Sequence, residues 1–223
     1  MFYIQKATPH VTPERGSIWG DIMKLYEFKR TRSYKIRWLL KELGVDCEYK
    51  TVNLMEGEHQ KSDFLKLNPF GKVPTFVDGD LRLHEASAIC NYLADKYPNK
   101  GLIPKPATNF RAIYDKWNFF ASNELECHLW TCEKHSWFYP EEKRSSLAIE
   151  MAKSDFSKAI KIVNDTLSDK KFLLGTDFSV LDINYAYLIR WGKSHNLIQE
   201  YPRLIEYLNG LIDRPAYPRE LFD

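Results

Sequence analysis

The chain has 223 residues, enough for one large domain or two small ones, and either can bury a sizeable core. Its 32 Lys and Arg residues nearly balance its 30 Asp and Glu residues, so the formal net charge is only +2. Such a balance creates no global field that would attract nucleic acid or an anionic membrane. We therefore expect neither as a partner.

Four cysteines are present, and their spacing matches neither a CxxC motif nor a metal-binding knuckle. They are Cys47, Cys90, Cys127 and Cys132. No secretory hydrophobic region precedes them, and no apolar run approaches the roughly 20 residues of a membrane span. These features predict a soluble protein with reduced cysteines and a cytoplasmic location.

The first strand and helix are predicted near the start of the chain. Residues 1–21 contain prolines and glycines without a sustained period, so we interpret them as a native extension or a tag outside the fold. Residues 24–28 alternate like a half-buried strand. Ser33 occupies an N-cap position before an amphipathic helix that ends at Gly44. Residues 46–53 then predict a second strand.

The next elements complete a sheet. Residues 60–67 predict a short helix, and residues 74–77 and 81–83 predict a hairpin. A further helix is expected over residues 85–97. The order βαβ followed by ββα is typical of a thioredoxin-like domain with a mixed four-stranded sheet.

The second half of the sequence predicts only helices. After a stretch rich in proline and glycine, residues 110–137 and 141–167 have the length and period of packed helices in a bundle. Ser179 and Asp182 have the spacing of a capping box, in which Asp182 reaches back to the Ser179 amide and starts another helix. Residues 202–212 predict the last helix.

Val73 and Pro74 form the most informative pair in the chain. Asn68-Pro69 and Phe70-Gly71 mark a loop, and Pro74 opens a strand at the one position where a strand tolerates proline. A cis bond here would turn the backbone N–H and C=O of Val73 outward. This edge is suited to pairing with an extended, peptide-like ligand.

The segments NPFGKVP at 68–74 and LHEASAI at 83–89 resemble the glutathione-binding half of cytosolic glutathione transferases. The resemblance extends from residue 24 through Asp182 to residues 214–216. It implies a thioredoxin-like glutathione-binding domain over residues 22–99, a linker over 100–107 and an all-helical domain over 108–223.

The resemblance also implies a glutathione site. Its predicted residues are Lys72, Val73, Pro74, Glu85, Ala86 and Ser87. The start of the helix at Glu85 favours an anion such as the γ-glutamyl carboxylate. The family has Ser where this chain has Ala86, so one expected hydrogen bond is missing. Without the Val73-Pro74 edge, Glu85 would be read only as an acidic residue that stabilises the first turn.

The catalytic residue of the family follows the first strand and stabilises the glutathione thiolate. The loop at 29–34 offers no cysteine, which argues against the thiol-exchange classes, and Thr31 lies nearest the serine-class position. Ser33 and Tyr26 are competitors. A hydroxyl donor and neighbouring cations both lower the pKa of a thiol. Ser33 also has the simpler interpretation of a helix cap.

Two further groups are candidate sites in the helical half. Glu124, His128, Cys132 and His135 fall at spacings that share one face of a helix, but a single-helix row without a second cluster is a weak metal signal, and we predict no metal. An aromatic-rich stretch begins in the same region, and most of it should be core. The resemblance implies a cleft for the electrophilic co-substrate between these helices and the first domain, and we select Tyr114 and Trp117 as its aromatic wall.

The resemblance thus implies a homodimeric detoxification enzyme that binds glutathione as a co-substrate and needs no cofactor. It would direct the glutathione thiolate at a small apolar electrophile, a peroxide or a disulfide. The alternative is a non-catalytic binding or regulatory module, which Ala86 and the missing signature nucleophile would both permit.

Overall fold

A mixed four-stranded sheet forms the first half of the structure. The computed structural model describes residues 22–221, so the predicted extension 1–21 lies outside the described residues. The strands are β1 (Lys24–Glu27), β2 (Glu48–Thr51), β3 (Thr75–Asp78) and β4 (Leu81–His84). Their order across the sheet is β2-β1-β3-β4, with β1 parallel to β2 and β3 antiparallel to both β1 and β4. Strand β4 therefore lies at an edge.

Three α-helices accompany this sheet: α1 (Ser33–Leu43), α2 (Ser62–Leu65) and α3 (Ala86–Lys96). Helices α1 and α3 pack against one another. Leu25 of β1, Ile36 of α1 and Ile89 of α3 are fully buried, and each contributes on the order of 2 kcal/mol through burial of its apolar surface. The predicted thioredoxin-like order is confirmed.

Local boundaries differ from the sequence prediction in this half. Ser33 is the first residue of α1, and Arg32 occupies the N-cap position without a side-chain cap. The prediction of Ser33 as the cap was wrong: its hydroxyl bonds to Thr31 Oγ1 at 2.9 Å and caps no helix amide, and the Ser33 amide itself donates to Thr31 Oγ1 at 3.3 Å. The predicted helix over 60–67 is shorter, since 3₁₀ turns over 54–56 and 58–60 precede α2.

Five α-helices build the second half. They are α4 (Asn109–Phe120), α5 (Cys127–Glu133), α6 (Ser146–Thr166), α7 (Val180–Ser194) and α8 (Pro202–Ile212). Helix α5 packs on α6 and α7 on α8, while α7 also contacts α1 and α3. The buried core is therefore continuous between the two halves. None of the helices within residues 22–221 is long and apolar enough to cross a membrane.

The predicted helix over 110–137 is interrupted by two π-helical turns, Ala121–Glu126 and Lys134–Phe138. A π turn inserts a residue and rotates the side chains that follow it around the helix axis. Around the first turn, the Tyr185 hydroxyl donates to the carbonyl oxygen of Trp117 at 2.9 Å. The side chains after residue 121 therefore face directions that a regular α-helical period does not predict.

Asp182 joins the start of α7 to neighbouring segments. Its carboxylate accepts from the Ser179 amide at 2.7 Å, which confirms the predicted capping box. It also accepts from the Ser179 hydroxyl at 3.0 Å, the Leu173 amide at 2.9 Å and the Tyr207 hydroxyl at 2.5 Å. Asp182 is completely buried, and the loss of solvation raises the pKa of its carboxyl, although these four donors oppose the shift.

Candidate functional site

A cavity of about 510 Å³ lies between the two halves of the structure, within the size range of small-molecule sites. Its first wall comes from the start of α1 and from α3: Arg32, Lys35, Glu85, Ala86, Ser87 and Asn91. Its second wall comes from α4, α5 and the π turn between them: Asn118, Phe119, Ser122, Asn123, Glu126 and Trp130. The cavity therefore combines charged, amide and aromatic groups.

The edge at Val73 lies next to the start of α3. The Val73–Pro74 peptide bond is cis. The antiparallel register pairs Thr75, two residues after Val73, with His84, two residues before the first residue of α3, so the Val73 edge and the start of α3 lie at the same end of the β3–β4 pair. Within residues 22–221, neither the amide nor the carbonyl of Val73 has a hydrogen-bond partner. Both groups are available to an extended ligand.

The loop before Val73 is fixed by its own hydrogen bonds. The Asn68 side-chain amide donates to the carbonyl oxygen of Lys72 at 2.8 Å and to the Thr75 hydroxyl at 3.1 Å. The Thr75 hydroxyl in turn donates to the same Lys72 carbonyl at 3.0 Å. Asn68 and Thr75 are both buried, and these bonds satisfy their polar groups. The ends of the exposed edge are thereby held in place.

The first turn of α3 presents an anion-binding end. Glu85 precedes the helix with φ of 71°, a left-handed value that is uncommon for a residue other than glycine. The first intrahelical donor is Ile89, whose amide bonds to the Glu85 carbonyl at 3.0 Å. The amides that open a helix have no partner within it, so those of Ala86 and Ser87 remain for a ligand. Glu85 and Ser87 also line the cavity.

The turn from Phe28 to Ser33 carries the two predicted catalytic hydroxyls. Thr31 Oγ1 lies 2.6 Å from the carbonyl oxygen of Phe28 and 2.9 Å from Ser33 Oγ. Ser33 is 1% exposed, and neither residue lines the cavity. Their neighbours Arg32 and Lys35 do. The two hydroxyls thus form a connected pair directly behind the cationic part of the wall.

Arg32, Lys35 and Glu126 form an ionic cluster in that wall. Lys35 Nζ lies 2.7 Å from one carboxylate oxygen of Glu126, and Arg32 Nε donates to the other. Lys35 is 1% exposed, so this ion pair is largely shielded from solvent. Burial opposes ionisation of Glu126, but the charges and hydrogen bonds of Lys35 and Arg32 outweigh it and lower its pKa to about 2. Glu126 is therefore a carboxylate at neutral pH.

The predicted co-substrate residues Tyr114 and Trp117 do not line the cavity, so this prediction was wrong. Tyr114 is completely buried and its hydroxyl donates to Asn91 Oδ1 at 2.5 Å, while Trp117 packs in the core. The apolar surface of the cavity comes from Phe119, which is 66% exposed, and from Trp130. The aromatic-rich stretch of the sequence correctly indicated an aromatic cavity wall. It does not show which face of α4 packs against the core and which face lines the cavity.

The row Glu124, His128, Cys132 and His135 does not assemble into a metal-ligand group. Cys132 is buried against α6, and His135 Nδ1 accepts from the Ser145 amide at 3.2 Å. No cluster of three or more suitable ligands occurs anywhere in the described part of the chain.

His59 is a candidate that the sequence reasoning missed. Its Nδ1 is buried and has no hydrogen-bond partner among the residues that the structure describes. The carbonyl oxygen of His59 lies only 2.9 Å from the position that a Cβ at Gly71 would occupy, so its turn packs against the loop that leads to Val73. The Glu58-His59-Gln60 sequence contains no hydrophobic period and no known motif, and its position beside the loop that leads to Val73 is seen only in the contact with Gly71.

The first half of the structure is a thioredoxin-like domain, and the second half is all-helical. The cavity lies between these two parts. A family model described as "Glutathione S-transferase, N-terminal domain" matches residues 22–95. Glutathione S-transferase 3 of Zea mays is 32% identical over 196 residues, which cover 83% of this chain and 86% of the maize protein. The chain belongs to the glutathione S-transferase family.

Two other comparisons agree. Glutathione S-transferase F14 of Arabidopsis thaliana is 30% identical over 213 residues, covering 91% of this chain and 79% of that protein. A crystal structure of a glutathione transferase from Methylococcus capsulatus str. Bath superposes with a TM-score of 0.80 and 28% identity, covering 90% of this chain and 98% of that one. The similarity therefore extends through the helical half.

Proposed function

We propose that this protein is a glutathione transferase that binds glutathione at the Val73 edge and the start of α3, and stabilises its thiolate. The observation that carries the proposal is the unpaired backbone of Val73 beside the free first turn of α3. A peptide with a carboxylate at one end matches these two features together. Glutathione acts here as a co-substrate, and the chemistry needs no cofactor.

In the proposed pose, glutathione lies extended along the edge. Its cysteinyl backbone pairs with the amide and carbonyl of Val73, next to Pro74. Its γ-glutamyl carboxylate accepts from the amides of Ala86 and Ser87, where the helix dipole favours an anion. Its glycyl carboxylate extends toward Lys72 and the turn that carries His59.

The thiol of this pose points toward the turn at 29–33. A thiol has a pKa near 8.5 in water, and hydrogen bonds and positive charges that favour the thiolate lower that value. Thr31 is our first choice for the donor and Ser33 the second. Arg32 and Lys35 are the cations of the wall, but Glu126 pairs with both and Glu85 also lines the cavity, so the wall has no net charge and the hydroxyl donor carries the main part of the proposed thiolate stabilisation.

The co-substrate is proposed to enter between Phe119 and Trp130, whose rings suit a flat apolar electrophile. The thiolate sulfur would form a bond to the electrophilic carbon while the leaving group departs with the electron pair of the broken bond. A peroxide or a disulfide would be attacked at oxygen or sulfur in the same way. A panel of halonitroarenes, peroxides and mixed disulfides would distinguish these substrate classes.

Glutathione binding and thiolate formation test the proposal directly. Calorimetry should detect binding at millimolar glutathione, and ultraviolet titration should reveal a bound thiol with a pKa below that of free glutathione. Thr31→Val should raise that pKa and slow turnover more at neutral than at alkaline pH. If Ser33→Ala shifts the profile and Thr31→Val does not, Ser33 is the donor. Absence of binding by the wild-type protein would refute the proposal.

Ala86 allows a test of the pose. Ala86→Ser restores the hydroxyl that the family places at this position and adds one charge-assisted hydrogen bond, worth roughly 1.5–3 kcal/mol in favourable geometry. We expect glutathione to bind severalfold or more tightly, measured by calorimetry. Ala112→Ser makes the same change on the exposed surface of α4 and should leave the affinity unchanged. An unaltered affinity in Ala86→Ser would place the carboxylate elsewhere.

A non-catalytic glutathione-binding module is the second candidate. It is favoured by the hydrogen bond between Thr31 and Ser33, because this bond and the Phe28 carbonyl already occupy both hydroxyls. In that case the bound thiol would keep the pKa of free glutathione. Binding without a pKa shift and without turnover on the panel would decide for this candidate.

We also propose a cytoplasmic location and a homodimer. The location is supported by the four cysteines, none of which forms a disulfide in the described structure, as expected in a reducing compartment. The dimer is supported by apolar side chains that remain exposed along the β4 edge and on α4, among them Phe70 at 68% and Phe110 at 50%.

A further inference from the structure

Arg32 connects the hydroxyl-bearing turn to the helical half of the molecule. Its guanidinium carbon lies 5.3 Å from the ring centre of Trp130 on α5 and 5.5 Å from that of Trp191 on α7. Arg32 Nε also donates to Glu126 in the π turn. One side chain from the first half is thus held by three groups from the second, through two cation–π contacts and one ion pair.

The indoles that hold Arg32 are themselves anchored. Trp191 Nε1 donates to Glu133 Oε1 at 2.8 Å, and His195 Nε2 lies 2.9 Å from the same oxygen. Trp130 packs against Phe138 with ring centres 5.2 Å apart. The hydrogen bonds of His195, together with those of Trp191 and Trp137, lower the pKa of Glu133 to about 2 despite its partial burial. Trp130 and Trp191 are therefore held in place by contacts within the helical half, independently of Arg32.

The position of Arg32 in the chain gives this contact its significance. It stands directly between Thr31 and Ser33, and the preceding Arg30 has φ of 60°, a left-handed conformation. Lys35, one turn further, reaches the same Glu126. A displacement of Arg32 would therefore move both hydroxyls relative to the cavity. Misplacement of a reacting group by about 1 Å costs up to a hundredfold in rate.

We propose that Arg32 is a positioning residue: clamped between Trp130 and Trp191 and paired with Glu126, it holds the Thr31–Ser33 turn against the glutathione site. The inference rests on the proposed function. It makes thiol activation in the first half depend on the co-substrate wall in the second, because Trp130 and Glu126 belong to both the clamp and the cavity.

Arg32→Lys is the primary variant, because it keeps the positive charge but loses the planar group that stacks between the indoles. We expect kcat at neutral pH to fall about tenfold or more, with a smaller change in KM and a raised pKa of bound glutathione. Arg37→Lys is the matched control. Arg37 forms a bidentate pair with Glu27 and stacks on Tyr49 at 3.7 Å, entirely within the first half, and its replacement should leave the pH–rate profile unchanged.

Trp191→Phe tests the clamp from the other side, since Trp191 does not line the cavity. If both residues act through one contact, the double variant with Arg32→Lys should lose much less than the product of the two single losses. Multiplicative losses would overturn the proposal. The proposal would also be overturned if Arg32→Lys had wild-type kinetics while Arg32→Met was defective. That pattern would mean that the positive charge of residue 32 matters and its planar group does not.

Amide hydrogen exchange provides a readout that needs no glutathione. The exchange of residues 29–34 should accelerate in Arg32→Lys and Trp191→Phe, but not in Arg37→Lys. Unchanged exchange would overturn the positioning role even if glutathione binds. Conversely, faster exchange in a protein that binds no glutathione would support the clamp while refuting the proposed function.

Discussion

At the scale of single residues, Gly71 combines two constraints in the loop that leads to Val73. Its φ is +58°, in the left-handed region, and a Cβ there would lie 2.8 Å from Gln60 Nε2 and 2.9 Å from the carbonyl oxygen of His59. The first contact is the end of a flexible side chain, but the second is backbone and cannot move alone. A larger residue must therefore displace the turn at 58–60 or the loop that carries the ligand-binding edge.

Gly71→Ala should destabilise the protein and weaken glutathione binding. The left-handed conformation alone costs an alanine about 1–2 kcal/mol, and the clash adds to it. Gly57→Ala is the matched control, because Gly57 has φ of +70° but nothing within 4 Å of the added methyl. Urea denaturation should show a larger loss for Gly71→Ala, and calorimetry should show weaker binding only there. Equal losses in the two variants would mean that the contact with His59 is unimportant.

At the scale of elements, the start of α7 depends on one carboxylate with four donors. The sequence suggested an ordinary cap, whose removal typically costs about 1 kcal/mol. The structure adds the Leu173 amide and the Tyr207 hydroxyl to the two donors of Ser179. Each buried donor left without a partner costs about 1–3 kcal/mol. Asp182 therefore holds together a loop and two helices.

Asp182→Ala should lower the free energy of unfolding by more than about 3 kcal/mol, because several buried donors lose their acceptor together. Urea denaturation would measure this loss. Tyr207→Phe removes a single donor and serves as the graded control, with a smaller expected effect. The activity per folded molecule should survive in both variants. A drop in specific activity at unchanged stability would contradict the structural role of Asp182.

The secondary-structure elements of the first half could be predicted from the sequence more completely than those of the second half. In the first half, the alternation of β1, whose residues are alternately half-buried and buried, and the proline and glycine positions indicate the βαβ–ββα order, because each turn needs particular residues. In the second half, the prediction uses a regular α-helical period, but π turns at 121–126 and 134–138 shift the side chains that follow them out of that period. Glu126 and Trp130 were therefore not recognised as site residues. The choice of Tyr114 over Phe119 failed for a related reason, since the period identifies faces but not which face meets the core.

At the scale of the whole molecule, Glu126 links the two halves and makes their association sensitive to acid. Its folded pKa is about 2, below its ordinary value of 4.5. The stabilisation it provides is thus complete above pH of about 4.5 and is lost as the pH falls toward 2, because protonation removes the partner of Arg32 and Lys35. At about 1.36 kcal/mol per pKa unit, this amounts to roughly 3 kcal/mol.

Glu126→Gln should therefore be less stable than the wild type at neutral pH, and the difference should shrink steadily between pH 4.5 and 2. Urea denaturation across this range would measure the gap. Asp155→Asn is the control, since Asp155 pairs with Lys158 on the exposed surface of α6 and such pairs contribute little. A gap that stays constant with pH would mean that the carboxylate of Glu126 is not selectively stabilised in the folded protein.

The proposed dimer belongs to the same scale. Strand β4 is a sheet edge, with Leu81 37% exposed, and Phe70 stands near it with its ring 5.5 Å from that of His84. Phe110 and Ile113 lie one turn apart on α4 and are 50% and 46% exposed. Exposed apolar side chains of this size are often buried by a second subunit.

Phe70→Ser should convert the dimer to a monomer in light scattering at micromolar concentration. A buried aromatic anchor at an interface commonly contributes 2 kcal/mol or more, which corresponds to roughly a thirtyfold weaker dimer. Met55→Ser is the control, because Met55 is even more exposed, at 87%, but lies in the 3₁₀ turn after β2, away from the β4 edge. Circular dichroism should show both variants folded. A monomeric wild type would rule out the dimer, and a Phe70→Ser protein that keeps the dimer mass would exclude this edge as its interface.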